Sequence, residues 1–197
     1  MYSCTTPEYL PEKELYEYLG DENHGVSRTI NTGGVTMKMT YRPNDFLIWQ
    51  ELDGEEDSAR IKEVVNNYSQ YLYFVMQLQA GEQDALYGTA ADQSDFSDKL
   101  QTLSFRMPQY INMTTAEQDT IPLADAYYSR MFGMSKSSDV LLVFNAEQVN
   151  DDEWISINSK EFGFKTGRRS FRFRLEDLRN TPKLTQLKPY YELIEKN

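Results

Sequence analysis

The chain has one cysteine and one histidine in 197 residues. Cys4 has no second cysteine to pair with, so no disulfide forms within the chain, and a zinc site built from the usual ligands lacks its donors. The sequence calls for no metal and no other cofactor. A serine triad would have to recruit His24 from the loop 21–25, and neither a Gly-x-Ser-x-Gly elbow nor a Ser-x-x-Lys pair occurs. Gly163 to Gly167 has neither the Walker spacing nor the Lys-Ser/Thr that follows it. No apolar run approaches the roughly 20 residues of a membrane span. Positive charge is scarce, with 20 Lys and Arg against 31 Asp and Glu. The net −11 excludes the basic footprint that a nucleic-acid partner needs. The deficit is uneven: residues 160–197 carry a net +5 and the preceding 159 a net −16.

What is present is β-forming. Residues 140–144 are five consecutive apolar residues, too short a run for an independent helix, and they predict a strand buried on both faces. Residues 71–79 are nearly apolar on both sides and therefore central. Val35, Met37, Met39 and Tyr41 alternate with polar residues, and Gly33-Gly34 marks a turn to a hairpin partner over 26–30. Further strands are expected at 154–157 and at 170–175, where Ser170, Arg172 and Arg174 alternate with Phe171, Phe173 and Leu175. Leu103, Phe105 and Met107 alternate ahead of Pro108, which predicts a strand with a bulge or an edge there. Residues 122–134 fit a helix through Leu123, Tyr127, Met131 and Met134, and a strand through Ala126, Tyr128, Arg130 and Phe132. The strand, paired with 140–144 through a turn at 135–138, is the preferred reading.

Helices are expected at 11–19, 46–52 and 59–69, the last from the stripe Ile61, Val64, Val65 and Tyr68. Residues 80–97 are polar and small and read as a surface excursion. The fold class is α+β, mainly antiparallel β-sheet with a sandwich as one arrangement, and two or three short helices. Residues 1–10 form an N-terminal tether and 11–197 a single globular domain.

Carboxylates are too numerous for their presence to mark a site. Asp53, Glu55 and Asp57 alternate in a loop, but the glycine is misplaced for an EF-hand and no glutamate closes it. They read as a solvated face, as do Asp151, Asp152 and Glu153. No catalytic residue and no metal ligand is assigned. Two features remain as binding candidates. Arg168, Arg169, Arg172 and Arg174 give one strand a guanidinium-bearing face suited to an acidic glycan, a lipid headgroup or a carboxylate. Cross-strand pairing with acids is the simpler account. Trp49 and Trp154, with Tyr16 and Tyr18, offer aromatic rings for sugar stacking, and core packing is their simpler account.

Near the start, Ser3-Cys4-Thr5 leads into a short polar stretch with Pro7, which has the look of a lipoprotein cut after most of its signal peptide; a free cysteine in a frayed terminus is the other reading. With this cysteine, Tyr41-Arg42-Pro43, Phe132-Gly133-Met134-Ser135, the run 141–145, Phe171-Arg172-Phe173, Asp177 and Pro182, the chain resembles the uncharacterised exported lipoproteins of Bacteroidetes-type bacteria. The resemblance implies acylation of Cys4 and a globular part in the periplasm or at the cell surface. The membrane is then met only through the lipid. It supplies no catalytic residue. The expected function is a non-enzymatic, lipid-anchored envelope protein that binds a protein or glycan partner, or serves as a structural subunit of an envelope assembly. The alternative is a carboxylate-dependent hydrolase of glycan or peptidoglycan.

Overall fold

The computed structural model describes residues 8–129, 135–149 and 153–195. Strand β1 (Tyr9–Leu10) leads into helix α1 (Glu12–Gly20), which buries Leu15 and Leu19. The expected hairpin follows as β2 (Ser27–Thr32) and β3 (Val35–Arg42). Gly33 and Gly34 close it at φ of 60° and 81°. Two successive positive φ values match the twist of a tight hairpin, and glycine adopts them without a Cβ penalty. Helix α2 (Asp45–Leu52) and helix α3 (Ser58–Ser69) come next. The Asp57 carboxylate caps α3 by accepting the Ala59 N–H at 3.0 Å.

The chain continues through β4 (Tyr71–Ala80), β5 (Gln83–Asp84), α4 (Ala85–Thr89), α5 (Gln93–Gln101), β6 (Ile111–Thr115), β7 (Thr120–Pro122) and β8 (Asp125–Ser129). It ends with β9 (Ser138–Asn145), β10 (Trp154–Ser159), β11 (Arg169–Arg174), α6 (Leu175–Arg179), β12 (Lys183–Leu184) and α7 (Lys188–Glu195).

The strands form two main antiparallel sheets. One runs β2-β3-β4-β9-β8, with β5 on the end of β4, and the other β11-β10-β6-β7. Their inner faces meet in one core. Met37, Met39, Phe74, Met76, Val140, Leu142 and Phe144 come from the first sheet, and Met113, Ile155, Ile157, Phe171 and Phe173 from the second. The Phe74 and Phe173 rings lie 5.2 Å apart across that core. The architecture is therefore α+β with a sheet-on-sheet sandwich, as the period-2 patterns required.

Two parts of the chain differ from expectation. Residues 80–97 are not a surface excursion: they contain α4 and most of α5, and Ala85 and Leu86 are fully buried. The alternation at Leu103, Phe105 and Met107 is not a strand. Helix α5 runs on through a π-helical turn (Thr102–Arg106) into a 3-10 turn (Met107–Gln109) that places Pro108 near its start. Leu103 and Met107 are buried one helical turn apart, while Phe105 points outward at 73% exposure. Spacing of four satisfied both periods, and length decided for the helix. Altogether the described residues hold seven α-helices, several of them a turn or two long.

Strand β8 does pair with β9, Tyr127 opposite Leu141 and Ser129 opposite Asp139. Residues 130–134 lie outside the described residues, as do Cys4, Asp151 and Asp152. Tyr9 and Leu10, assigned to the tether, instead pair in parallel with Lys183 and Leu184.

Candidate functional site

A concavity lies on the outer face of the larger sheet, away from the sandwich core. It is a half-open groove of about 520 Å³. Strand register builds its floor as two adjacent rungs. Lys38, Gln77, Asp139 and Ser129 stand side by side on β3, β4, β9 and β8, and Thr40, Val75, Leu141 and Tyr127 form the next rung. The first rung is polar throughout and the second mostly apolar. Helix α1 supplies one wall with Tyr16, Leu19 and Gly20, joined by Leu47 of α2. Tyr16 and Tyr127 sit at opposite lips, 46% and 59% exposed.

The polar groups of the groove are held in place. The Lys38 Nζ donates to the Gly20 carbonyl at 2.9 Å, which ties α1 to the sheet. The Arg42 guanidinium donates to the Tyr16 hydroxyl at 2.8 Å and lies 3.8 Å over the Phe46 ring. Gln77 donates to both Asp139 oxygens at 3.4 Å, and the Ser137 hydroxyl donates to Asp139 Oδ1 at 2.6 Å. Among the described residues that line the groove Asp139 is the single carboxylate, and it is already engaged. Hydrolysis of a glycoside by the usual route needs two facing carboxylates.

Alternation alone does not reveal this groove. Residues 140–144 and 71–79 carry few polar side chains on either face, and the residues on both faces are largely covered. Leu141 and Val75, however, are only half-buried, because no second sheet covers the outer face at that point. The signal was there in the outward residues Thr36, Lys38, Thr40 and Arg42. Their alignment with Gln77 and Asp139 depends on register, which alternation alone does not give.

The four arginines do not form one face. Arg172 and Arg174 point outward from β11 with Ser170, whereas Arg169 has the inward parity of Phe171 and Phe173. Arg169 is pinned by the Thr32 hydroxyl and by the Arg168 carbonyl, the latter at 2.8 Å. Arg172 lies 4.0 Å over the Trp154 ring. Arg174 pairs with Glu176, two residues on, at 2.9 Å. The expected cross-strand pairing with acids is therefore replaced by a cation–π contact and a local ion pair. Arg168 lines a second depression together with Lys160 and Asn158.

The aromatic candidates are also dispersed. Trp49 packs against the core with its ring 6.1 Å from Tyr190. Trp154 lies on the smaller sheet under Arg172, and Tyr18 stacks on His24 at 3.8 Å. Only Tyr16 reaches the groove. His24 is half-buried, and its Nδ1 lies 2.8 Å from the Tyr18 carbonyl oxygen. The acidic loop uses its carboxylates on its own backbone: Glu55 accepts the Glu56 and Asp57 N–H groups, both at 2.9 Å. Among the described residues no three His, Cys, Asp or Glu side chains gather as a metal site.

No protein-family model matches the chain, and no curated protein matches it. A solved DUF4426 family protein from Pseudomonas aeruginosa is similar over 75% of this chain and 91% of its own, at 9% identity and a TM-score of 0.36. A likeness that distant transfers neither fold nor function.

Proposed function

We propose that the chain is a non-catalytic binding module that takes a glycan strand into the groove on its larger sheet. The observation that carries this is the two-rung floor, polar beside apolar, with a tyrosine at each lip. A sugar ring has an apolar C–H face and hydroxyl edges. The Val75–Leu141–Tyr127 rung matches the face, and the Lys38 ammonium, Gln77 amide and Asp139 carboxylate offer donors and acceptors to the edges. Tyrosine rings stack on such faces with little loss of side-chain entropy. A flat protein surface would meet the rims without reaching the donor and acceptor capacity that Lys38, Gln77 and Asp139 keep beyond their own contacts. A glycan fits better than a protein partner on that ground.

Screening the folded chain against an array of neutral oligosaccharides tests the reading, with Tyr127→Ala and Gln77→Ala as controls. Retention of one glycan class by the wild type and its loss in both variants is expected. Retention that survives both substitutions, or binding of peptides instead, overturns the assignment.

Placement in the cell envelope belongs to the same proposal and rests on Ser3-Cys4-Thr5 and the lipoprotein resemblance. Expressed from its own gene, the protein should incorporate labelled palmitate, and Cys4→Ser should not. Equal labelling of the two removes the anchor from the proposal.

A further inference from the structure

The end of the smaller sheet, where β10 stops and β11 starts, holds a depression of about 420 Å³, lined by Asn112, Asn158, Ser159, Lys160, Arg168, Arg169 and Ser170. Three cations and no carboxylate line it, in a chain of net −11. The register pairs Asn158 with Ser170 and Ser159 with Arg169. Lys160 and Arg168 follow directly on the last rung of that ladder, and both line the depression. Like charges gathered without a counter-charge repel one another. The adjacent acid gives little relief, because Glu161 accepts the N–H groups of Gly163, Lys165 and Gly167 at 2.8, 2.9 and 2.5 Å.

The donors here are only partly used. Arg168 has no side-chain hydrogen bond or ion pair among the described residues, and Lys160 donates once, to the Gln109 carbonyl at 3.3 Å. The Asn158 amide donates to Asn112 Oδ1 at 3.2 Å and to Thr114 Oγ1 at 3.1 Å, and accepts from Ser170 Oγ at 2.8 Å. That network fixes the Asn112 amide through its oxygen. The Asn112 amino group, with no partner among the described residues, remains as a donor toward the depression.

We infer that this depression binds the carboxylate of an acidic sugar. Arg168 and Lys160 take the carboxylate, since charge-assisted bonds from a guanidinium fork match its two oxygens. Asn112 and Ser170 take the flanking hydroxyls. The site lies on the opposite sheet from the groove and does not depend on it.

Calorimetric titration of the full chain with a galacturonic-acid trisaccharide, its neutral galactose counterpart and inorganic phosphate tests the site. The acidic trisaccharide should bind and raise the melting temperature. The neutral sugar and phosphate should bind at least about tenfold more weakly, and Arg168→Ala should lose about tenfold in affinity for the acidic sugar. Tyr127→Ala should leave that affinity unchanged, which separates this site from the groove. Without ligand, Arg168→Ala should melt no lower than the wild type, because it removes one of three clustered cations and no side-chain hydrogen bond or ion pair among the described residues. Phosphate binding as tightly as the acidic sugar overturns the sugar assignment. Unchanged affinity in Arg168→Ala overturns the site, and a lowered melting temperature makes Arg168 a structural residue instead.

Discussion

Two carboxylates respond to pH in opposite directions, and their surroundings say why. Burial of Glu161 works against its charge, but the N–H groups of Gly167, Gly163, Lys165 and Phe164 outweigh it and hold the carboxyl below its ordinary value of 4.5. A depressed folded pKa contributes stability that is present above 4.5 and lost as pH falls through the folded value. Glu161→Gln should cost about 1 kcal/mol in urea unfolding at neutral pH. The gap between variant and wild type should narrow as pH falls below 4.5. A gap that stays constant with pH would mean that the loop 163–167 does not depend on the charge.

Asp45 behaves the other way. Burial raises its pKa, against the lowering effect of the Leu184 N–H, the Tyr191 hydroxyl and the Lys183 charge. A carboxyl that holds its proton more tightly when folded stabilises more as pH falls from the folded value toward the unfolded one. Its oxygens accept from Leu184 N at 2.7 Å and Tyr191 Oη at 2.8 Å, joining the start of α2 to the C-terminal segment. Asp45→Ala strands both donors and should cost about 2 kcal/mol, whereas Asp45→Asn keeps an acceptor and should cost less. Equal urea midpoints for the two variants would contradict this account.

At the scale of elements, the Gly33-Gly34 turn gives a graded test. A Cβ on Gly34 meets nothing within 4 Å, while one on Gly33 would lie 2.5 Å from the Lys165 carbonyl oxygen. Gly34→Ala should cost about 1 kcal/mol from its positive φ alone. Gly33→Ala should cost clearly more, because it also pushes the hairpin off the 163–167 loop. Thermal melts of the two single variants compare the costs directly.

The same hairpin shows how much of the fold was legible. Alternation at 35–41, the apolar run at 71–79 and the stripe Ile61-Val64-Val65-Tyr68 each correspond to the expected element, because one period fits and the other fails. At 102–109 the two periods coincide, and the length of the run that continues α5 decided for the helix. The site was less legible than the fold. Arg168 and Trp154 were visible as residue types, but the parity that turns Arg169 inward and the register that aligns Lys38, Gln77 and Asp139 are long-range facts.

For the molecule as a whole, the sandwich explains where the proposed binding surfaces lie. Each sheet spends one face on the shared core and keeps the other for α1, α2 and α3 or for solvent. The larger sheet's free face is apolar enough to form a floor and polar enough to stay wet. The smaller sheet's free face carries the amide network, and its end the unneutralised cations. The run 140–144 belongs to both purposes: Val140, Leu142 and Phe144 build the core, and Leu141 floors the groove.

The most direct test of glycan binding is a nitrogen-15 chemical-shift titration with the best neutral oligosaccharide, followed by analysis of that sugar for cleavage. The account predicts shifts confined to residues 38–42, 75–77, 127–129 and 139–141, with the sugar recovered intact. Shifts outside the groove, or recovery of cleaved sugar with a newly formed reducing end, would contradict it.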